Sequence, residues 1–414
     1  MKKYIISIKK KIAIFFLISF VVSIFITIIS QDKNLWSIVF GEFARIPYQW
    51  PAFSDFGSLS NAIKSLKEGH DPYLYNPHDI HKVPYVYTRI WLIIFDFFRL
   101  NDPLFFLIIC FLIITIYFLI LLNFLNTFKN KYSYIALFLF FISPSNSLLV
   151  ERLNTDIIIF ILTYFLAINK NFIIKNILFI FSVCLKVYPI FSILIFLKNK
   201  KFFYTIIATI ILIYIIYDQI VMGNKNMIEY ALIFAYGART FANALLRVLG
   251  NYNFILDANS YELLKILLIA IFAIASLLIF FMGTKKIITY SENLSNFFII
   301  GSSIYLGTFI FTSNVDYRLI FLIYTFPLIF NDFNKWQAKL FFFSCFISFY
   351  SLWFHSGDYK SLSFALKGIF IYSLKFYIFL YLAYKLGSVL SSYKIIKRTN
   401  NYIFQRKILF KTRW

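Results

Sequence analysis

Charge is what this chain has least of. Only 14% of its 414 residues are charged, against about 25% in soluble globular proteins. No polar stretch is long enough to make a solvated domain. Cysteine is equally sparse: Cys110, Cys184 and Cys345 each sit inside an apolar run, without the spacing of a thiolate metal site or a redox pair. The signatures of soluble enzymes are absent too. There is no Walker loop, no GxGxxG, no HExxH and no GxSxG. No period of about 20–50 residues marks a repeat array. The chain therefore has no nucleotide-binding domain of its own, and any group it transfers must arrive already activated.

What is there is apolar sequence: 61% of the chain is hydrophobic and the mean hydropathy is +0.76. This composition predicts an all-α polytopic membrane protein, residues 1–414 forming one integral domain, because backbone in lipid must satisfy its own hydrogen bonds. The hydrophobic runs predict about twelve transmembrane helices, at 12–30, 104–125, 132–150, 155–168, 172–185, 188–198, 202–220, 262–282, 296–312, 318–330, 338–354 and 362–386. Crossing takes about 20 apolar residues. Runs 155–168, 172–185, 188–198 and 318–330 fall short of that and are expected to line a protein interior. Residues 12–30 show no small-residue cleavage site and are expected to stay as the first helix.

The formal charge of +23 invites a nucleic-acid partner, but its placement excludes one. Basic residues crowd the two ends, MKKYIISIKKK and the tail 387–414, as in cytoplasmic flanks. With both termini inside, more than half of the 41 Lys and Arg fall on the cytoplasmic side. Among the 18 acids only Glu292 and Asp332 do, and all four His fall outside. The outer side thus carries the polar machinery, in a first loop at 31–103 and a second long one at 221–261. A single Pro-broken helix over 172–198 would invert everything downstream. Interfacial helices are expected at 57–67, with Leu59, Ile63 and Leu66 on one face, at 89–100 and at 230–250.

Five polar constellations interrupt the apolar background. SDFGSLSNAIKSLKEGHDPY at 54–73 opens with Asp55, either a helix cap or a general base. ERLNTD at 151–156 joins two runs; Glu151 and Arg152 could pair on a solvated turn, or Arg152 could anchor an anion. LKVYP places Lys186 between apolar stretches, where it must snorkel or face a cavity. In NVDYRLIF, Asp316 and Arg318 could form a local ion pair, or a phosphate clamp with Asp316 orienting Arg318. In YVYTRIW, Arg89 stands among Tyr85, Tyr87 and Trp91, suited to interfacial anchoring or to a lipid phosphate with a sugar on the rings.

SDF, then Ala62, Leu66, Gly69 and Asp71-Pro72-Tyr73, resembles the first outer loop of glycosyltransferase family 87. These are GT-C membrane enzymes that include polyprenyl-phosphate-mannose-dependent α-mannosyltransferases. The later landmarks fall in the family's order: an aromatic segment closing the loop, a polar corner with Asn154, Lys186 near Pro189, and Tyr317-Arg318. Together they span residue 54 to about 330. The chain departs from the family at two places: Glu151-Arg152-Leu153 replaces the frequent Gly-Gln before the corner Asn, and Tyr87-Thr88-Arg89 replaces a Tyr-Pro-Pro-like element.

The resemblance implies a GT-C fold and an inverting transfer of a mannose-like hexose from a polyprenyl-phosphate sugar to a lipid or glycan hydroxyl. The site would lie on the outer face of a bacterial plasma membrane; abundant Lys, Asn, Ile and Phe suit a bacterial genome of low GC content. Asp55 matches the family's catalytic base. Arg318, Lys186, Arg152 and Arg89 are candidates for the donor phosphate. Asn154, Asp156, Tyr73, His70, Asp316 and Tyr317 are candidates for sugar and acceptor contacts. A monophosphate leaving group can be handled by Arg and Lys, so no metal or other cofactor is implied. The alternatives are a transporter or flippase for lipid-linked saccharides, which would more naturally show two repeated halves, and a polymerase, whose large outer loop would come late in the chain.

Overall fold

The computed structural model describes residues 2–80, 82–125, 131–199, 202–215, 217, 235–251, 258–286, 290–311, 314–354 and 362–392. His81, His355, residues 221–234 and 252–257 of the second long loop and the tail from 393 lie outside the described residues.

Helix α1 (Lys2–Ile29) leads into the short α2 (Lys33–Trp36), capped by the Asp32 carboxylate, and a π-helical turn at Ser37–Phe43. Next come α3 (Ser54–Lys67), α4 (Arg89–Phe97) and α5 (Pro103–Phe124). The last of these starts on an Asp102 cap with proline in its first turn, where a missing N–H costs nothing. Helices α6 (Lys131–Phe141) and α7 (Pro144–Arg152) are bent by 50° at a Ser143 cap followed by Pro144. They are followed by α8 (Asp156–Ile168), α9 (Phe172–Leu185), a 3-10 segment at Tyr188–Lys198, and α10 (Phe202–Ile215). Strand β1 (Ala235–Tyr236) precedes α11 (Ala238–Asn251), α12 (Ala258–Thr284) and α13 (Glu292–Phe311). Strand β2 (Asn314–Val315) runs into a 3-10 segment at Asp316–Thr325, then α14 (Phe326–Phe330), α15 (Trp336–Phe349), a 3-10 turn at Ser351–Phe354 and α16 (Leu362–Leu390). The strands pair antiparallel, Ala235 with Val315 and Tyr236 with Asn314.

The protein is an all-α, membrane-embedded chain in which, among the described residues, four helices are long and apolar enough to cross a bilayer: Pro103–Phe124, Glu262–Thr284, Glu292–Phe311 and Leu366–Leu390. The bent α6–α7 pair makes a fifth. Of the twelve hydrophobic runs, 104–125, 132–150, 262–282, 296–312 and 362–386 correspond to these five; 12–30, 155–168, 172–185 and 188–198 contribute apolar helices of 10–17 residues, and 202–220, 318–330 and 338–354 give no candidate span among the described residues. Runs 188–198 and 318–330 fold largely as 3-10 helix rather than α. The first interfacial helix also differs. It starts at Ser54, and Phe56, Leu59, Ala62 and Ile63 form its buried face, with the Phe56 and Phe95 rings 4.7 Å apart across α3 and α4. Leu66 is 51% exposed. At that last turn Ser65 faces inward instead, donating from Oγ to Asn76 Oδ1 at 2.7 Å.

Helix α13 is the centre of the molecule. Its apolar window is 78% buried, against 17% for α12, whose Ile266, Ile274 and Leu278 are exposed as a lipid-facing row. Two glycines let α13 receive both long 3-10 segments. A Cβ on Gly301 would lie 2.5 Å from the Phe321 carbonyl oxygen, and one on Gly307 would lie 2.1 Å from the Phe191 ring. Small residues serve this purpose where helices approach closely in membranes. Through these contacts α13 holds the segments that begin next to Lys186 and Arg318.

Gly301→Leu is expected to lower stability in detergent by about 1–3 kcal/mol, the cost of overpacking a close contact. Gly368→Ala, where a Cβ would meet open space, is the control and should leave the thermal midpoint close to wild type. Equal midpoints for the two variants would refute the packing role of Gly301.

Candidate active site

The site is built where the α7–α8 corner meets the start of α3. Two residues in the left-handed backbone region flank it, Phe53 (φ 61°) and Leu153 (φ 42°). Such conformations are uncommon for bulky residues and persist only where the surroundings enforce them. Here Glu151 does much of the enforcing. Its Oε1 accepts from Gln49 N at 2.7 Å and Trp36 Nε1 at 3.3 Å, and its backbone carbonyl accepts from Phe53 N at 3.1 Å. Arg152 donates from Nε to Glu151 Oε2 and from Nη2 to the Pro47 carbonyl, both at 2.9 Å. The C-terminus of α7 thus grips residues 47–53 and fixes where the next helix begins.

Asp55 lies in the first turn of α3 without capping it. Phe53 occupies the cap position, and no side chain bonds the helix end. The Asp55 carboxylate turns instead to the corner, where Oδ2 accepts from Asn154 Nδ2 at 2.5 Å and Oδ1 lies 3.7 Å from Arg152 Nη1. Its side chain keeps 22% exposure, so it is reachable. Burial pushes its carboxyl above the ordinary range, while Arg152, the Asn154 hydrogen bond and Lys186 pull the other way without cancelling the rise.

Asn154 is the pivot. Its Nδ2 serves Asp55, while its Oδ1 accepts from Lys186 Nζ at 3.0 Å and from Asp156 N at 3.0 Å. One amide group needs both functions, and the partners on each side fix its orientation. Beyond it, fully buried Asp156 gathers the cations. Its Oδ1 accepts a short hydrogen bond from Lys186 Nζ and one from Tyr188 OH at 2.9 Å; its Oδ2 accepts from Arg318 Nε at 3.1 Å. Asn314 Oδ1 accepts from Arg318 Nη1, and the guanidinium stacks 4.5 Å from the Tyr188 ring centroid. The charges are polarised. The carboxyls of Asp55 and Glu151 flank Arg152 on one side, where burial raises both and holds Glu151 up at about 7; Lys186 and Arg318 share the ionised Asp156 on the other, leaving an excess positive charge.

The closing segment of the first loop delivers Tyr87 here. Gly69 takes φ +87° to end α3, and Asp71 Oδ1 accepts from Tyr73 N. Tyr85 N then donates to the Pro72 carbonyl at 2.8 Å, and Tyr73 OH to the Tyr87 carbonyl at 2.6 Å. Thr88 Oγ1 and Trp91 Nε1 donate to the Cys184 and Leu185 carbonyls at 2.8 and 2.9 Å, tying this segment to the chain next to Lys186. Lys186 Nζ lies 5.5 Å from the Tyr87 ring centroid. Burial, then the charges of Asp55, Tyr317 and Asp156, push the Tyr87 phenol well above its ordinary range, so it stays a neutral donor.

Of the residues singled out in the sequence, Asp55, Arg152, Asn154, Asp156, Lys186 and Arg318 meet in this one network. Tyr317 lies within electrostatic reach of Arg318 and Tyr87. Tyr73 is buried scaffold beneath Tyr87. Arg89 is exposed, its guanidinium 5.8 Å from the Tyr73 ring centroid, and His70 is exposed beside Tyr75. The Asp316 carboxylate does not bond Arg318 directly. Residues two apart in a 3-10 helix diverge by about 120°, and Asp316 bonds Lys375 instead, at 2.7 and 2.8 Å. Tyr188, Asn314 and Lys375 were not singled out. The first two lie two residues after Lys186 and four before Arg318, a proximity that could have flagged them. Lys375 lies inside the apolar run 362–386, where a lysine is costly, and that could have flagged it. Among the described residues, no group of three or more His, Cys, Asp or Glu is disposed to hold a metal ion.

Arg152 is the nearest cation opposing the burial of Asp55. In Arg152→Gln the Asp55 carboxyl should therefore stay protonated to a higher pH than in wild type. The infrared carbonyl band of the protonated acid, identified by its loss in Asp55→Asn, measures this. A band that titrates at the wild-type pH would show that Arg152 does not act on Asp55.

No family model matches the chain, and no match was found among curated proteins or solved structures.

Proposed function

We propose that this protein is a membrane glycosyltransferase of the GT-C type, moving a hexose from a polyprenyl-phosphate sugar to the hydroxyl of a lipid or glycan acceptor. The observation that carries the proposal is the Asn154 bridge: one amide links a reachable carboxylate, Asp55, to a pair of cations, Lys186 and Arg318. Sugar transfer from a phosphate donor needs a proton acceptor at one end of the reacting bonds and positive charge at the other. The polarity of the network matches that need. The resemblance of the first loop to glycosyltransferase family 87 points the same way, and the finer architecture that goes with it, about twelve spans in a GT-C arrangement, belongs to the same proposal.

In this mechanism the acceptor oxygen attacks the anomeric carbon and its proton passes to Asp55. The bond from the anomeric carbon to the phosphate oxygen breaks, and the electron pair leaves with the polyprenyl monophosphate. Lys186 and Arg318 stabilise the charge that builds there, and Tyr87 offers its neutral hydroxyl between the two ends. Direct displacement inverts the anomeric centre. A carboxylate held above its ordinary pKa is a stronger base once ionised, which suits the role. The site faces the outer side of a bacterial plasma membrane, with both termini in the cytoplasm.

Purified protein in detergent or vesicles, supplied with candidate polyprenyl-phosphate sugars, tests the proposal. Asp55→Asn should lower the turnover number by about 10²–10⁴-fold, and Arg318→Gln or Lys186→Met by about 10²–10³-fold. Transfer by folded Asp55→Asn at the wild-type rate would remove Asp55 as the base. Substrate crossing the bilayer without any sugar transfer would favour a flippase.

A further inference from the structure

A second buried ion pair lies beside the site and makes no contact with its carboxylates. Lys375 sits within the α16 span, yet its side chain is 1% exposed and that of Asp316 is 0% exposed. Charges inside a membrane domain are costly and need a paired, functional reason to be there. The Lys375 ammonium contacts both oxygens of Asp316, at 2.7 and 2.8 Å, and donates to the Ala235 carbonyl at 2.9 Å. Ser351 Oγ adds a short hydrogen bond to Asp316 Oδ2.

These contacts converge on one mechanical point. Ala235 belongs to β1 and pairs with Val315 of β2; Asp316 is the next residue and starts the 3-10 segment. Lys375 therefore holds the short β-bridge and the first turn of that segment together. The position of that first turn sets the rotation of the segment about its axis, and with it the direction of Arg318 two residues on. On the strand side, Asn314 donates from Nδ2 to the Thr308 carbonyl at 2.8 Å and accepts from Arg318 through Oδ1. Arg318 reaches Asp156 from this frame.

We infer that Lys375 and Asp316 are positioning residues: they form an internal staple that sets the rotation of the 3-10 segment and so aims Arg318 at Asp156 and the candidate phosphate position. The inference rests on the proposed phosphate role of Arg318 for its functional consequence, but not for its geometry.

The test separates aiming from mere stabilisation. Replacing a buried ion pair by apolar side chains is often neutral for stability, so the double variant Lys375→Met/Asp316→Leu should keep its thermal midpoint. It lacks the staple, so its affinity for a short-chain polyprenyl monophosphate in detergent should fall by about tenfold or more, the scale of one charge-assisted hydrogen bond. Arg318→Gln provides the reference for complete loss of that contact. Lys375→Arg keeps both the charge and the donors and should bind close to wild type. A cryo-EM structure of the double variant should show Arg318 Nε withdrawn from Asp156. Arg318 still seated on Asp156 there, or wild-type affinity in the double variant, would overturn the inference. If wild type itself binds no polyprenyl monophosphate, the phosphate role of Arg318 fails, while the Arg318–Asp156 contact in the two structures still decides the staple.

Discussion

Asp156 is fully buried, and this single constraint organises the centre of the molecule. A buried carboxylate without partners is untenable, so it must draw cations and hydroxyls from the chain itself. It takes Lys186 and Tyr188 from the end of α9 and the 3-10 segment after it, and Arg318 from the second 3-10 segment. Three stretches that are far apart in sequence are thereby brought to one point. Asn154 then passes the arrangement on to Asp55, which lies on a different helix in the first loop. The apolar matrix that makes Asp156 costly is also what makes its cations effective, because charge interactions strengthen where water is excluded.

The backbone follows from the same economy. The segments that carry Lys186, Tyr188 and Arg318 are short and partly 3-10, a geometry with poorer hydrogen bonds that rarely runs long. They are tolerated because protein covers them, with α13 and its glycines Gly301 and Gly307 on one side. A regular α-helix through 316–325 would present Arg318 at a different angle. Irregular backbone and buried charge occur together here, and each makes the other possible: the polar groups hold the distorted segments, and the distortion brings the polar groups to one place.

Much of the candidate site was legible in the sequence, and the limits have physical causes. A charged or amide residue in an apolar run is conspicuous because lipid penalises it, so Arg152, Asn154, Asp156, Lys186 and Arg318 announced themselves. Asp55 stood out at a helix start, where two roles were open. Its choice between capping and facing Asn154 depends on the left-handed turn at Phe53, and that turn depends on the hydrogen bond from Phe53 N to the Glu151 carbonyl, a contact distant in sequence that no local pattern encodes. His70 and Arg89 were drawn in by their neighbours in sequence and stand exposed instead. Tyr73 carries its loop rather than facing the network.

By itself, the sequence determined an all-α chain built for a membrane, the short runs unable to cross comfortably alone, and the residue types available for chemistry. These depend on composition and local periodicity, which any stretch of chain carries within itself. Only the tertiary structure decided which charges pair. Asp316 and Arg318, two residues apart, diverge to Lys375 and Asp156, while Asp55 and Asn154 meet across the chain. Pairing depends on direction, and direction is set by helix phase and by which elements pack side by side.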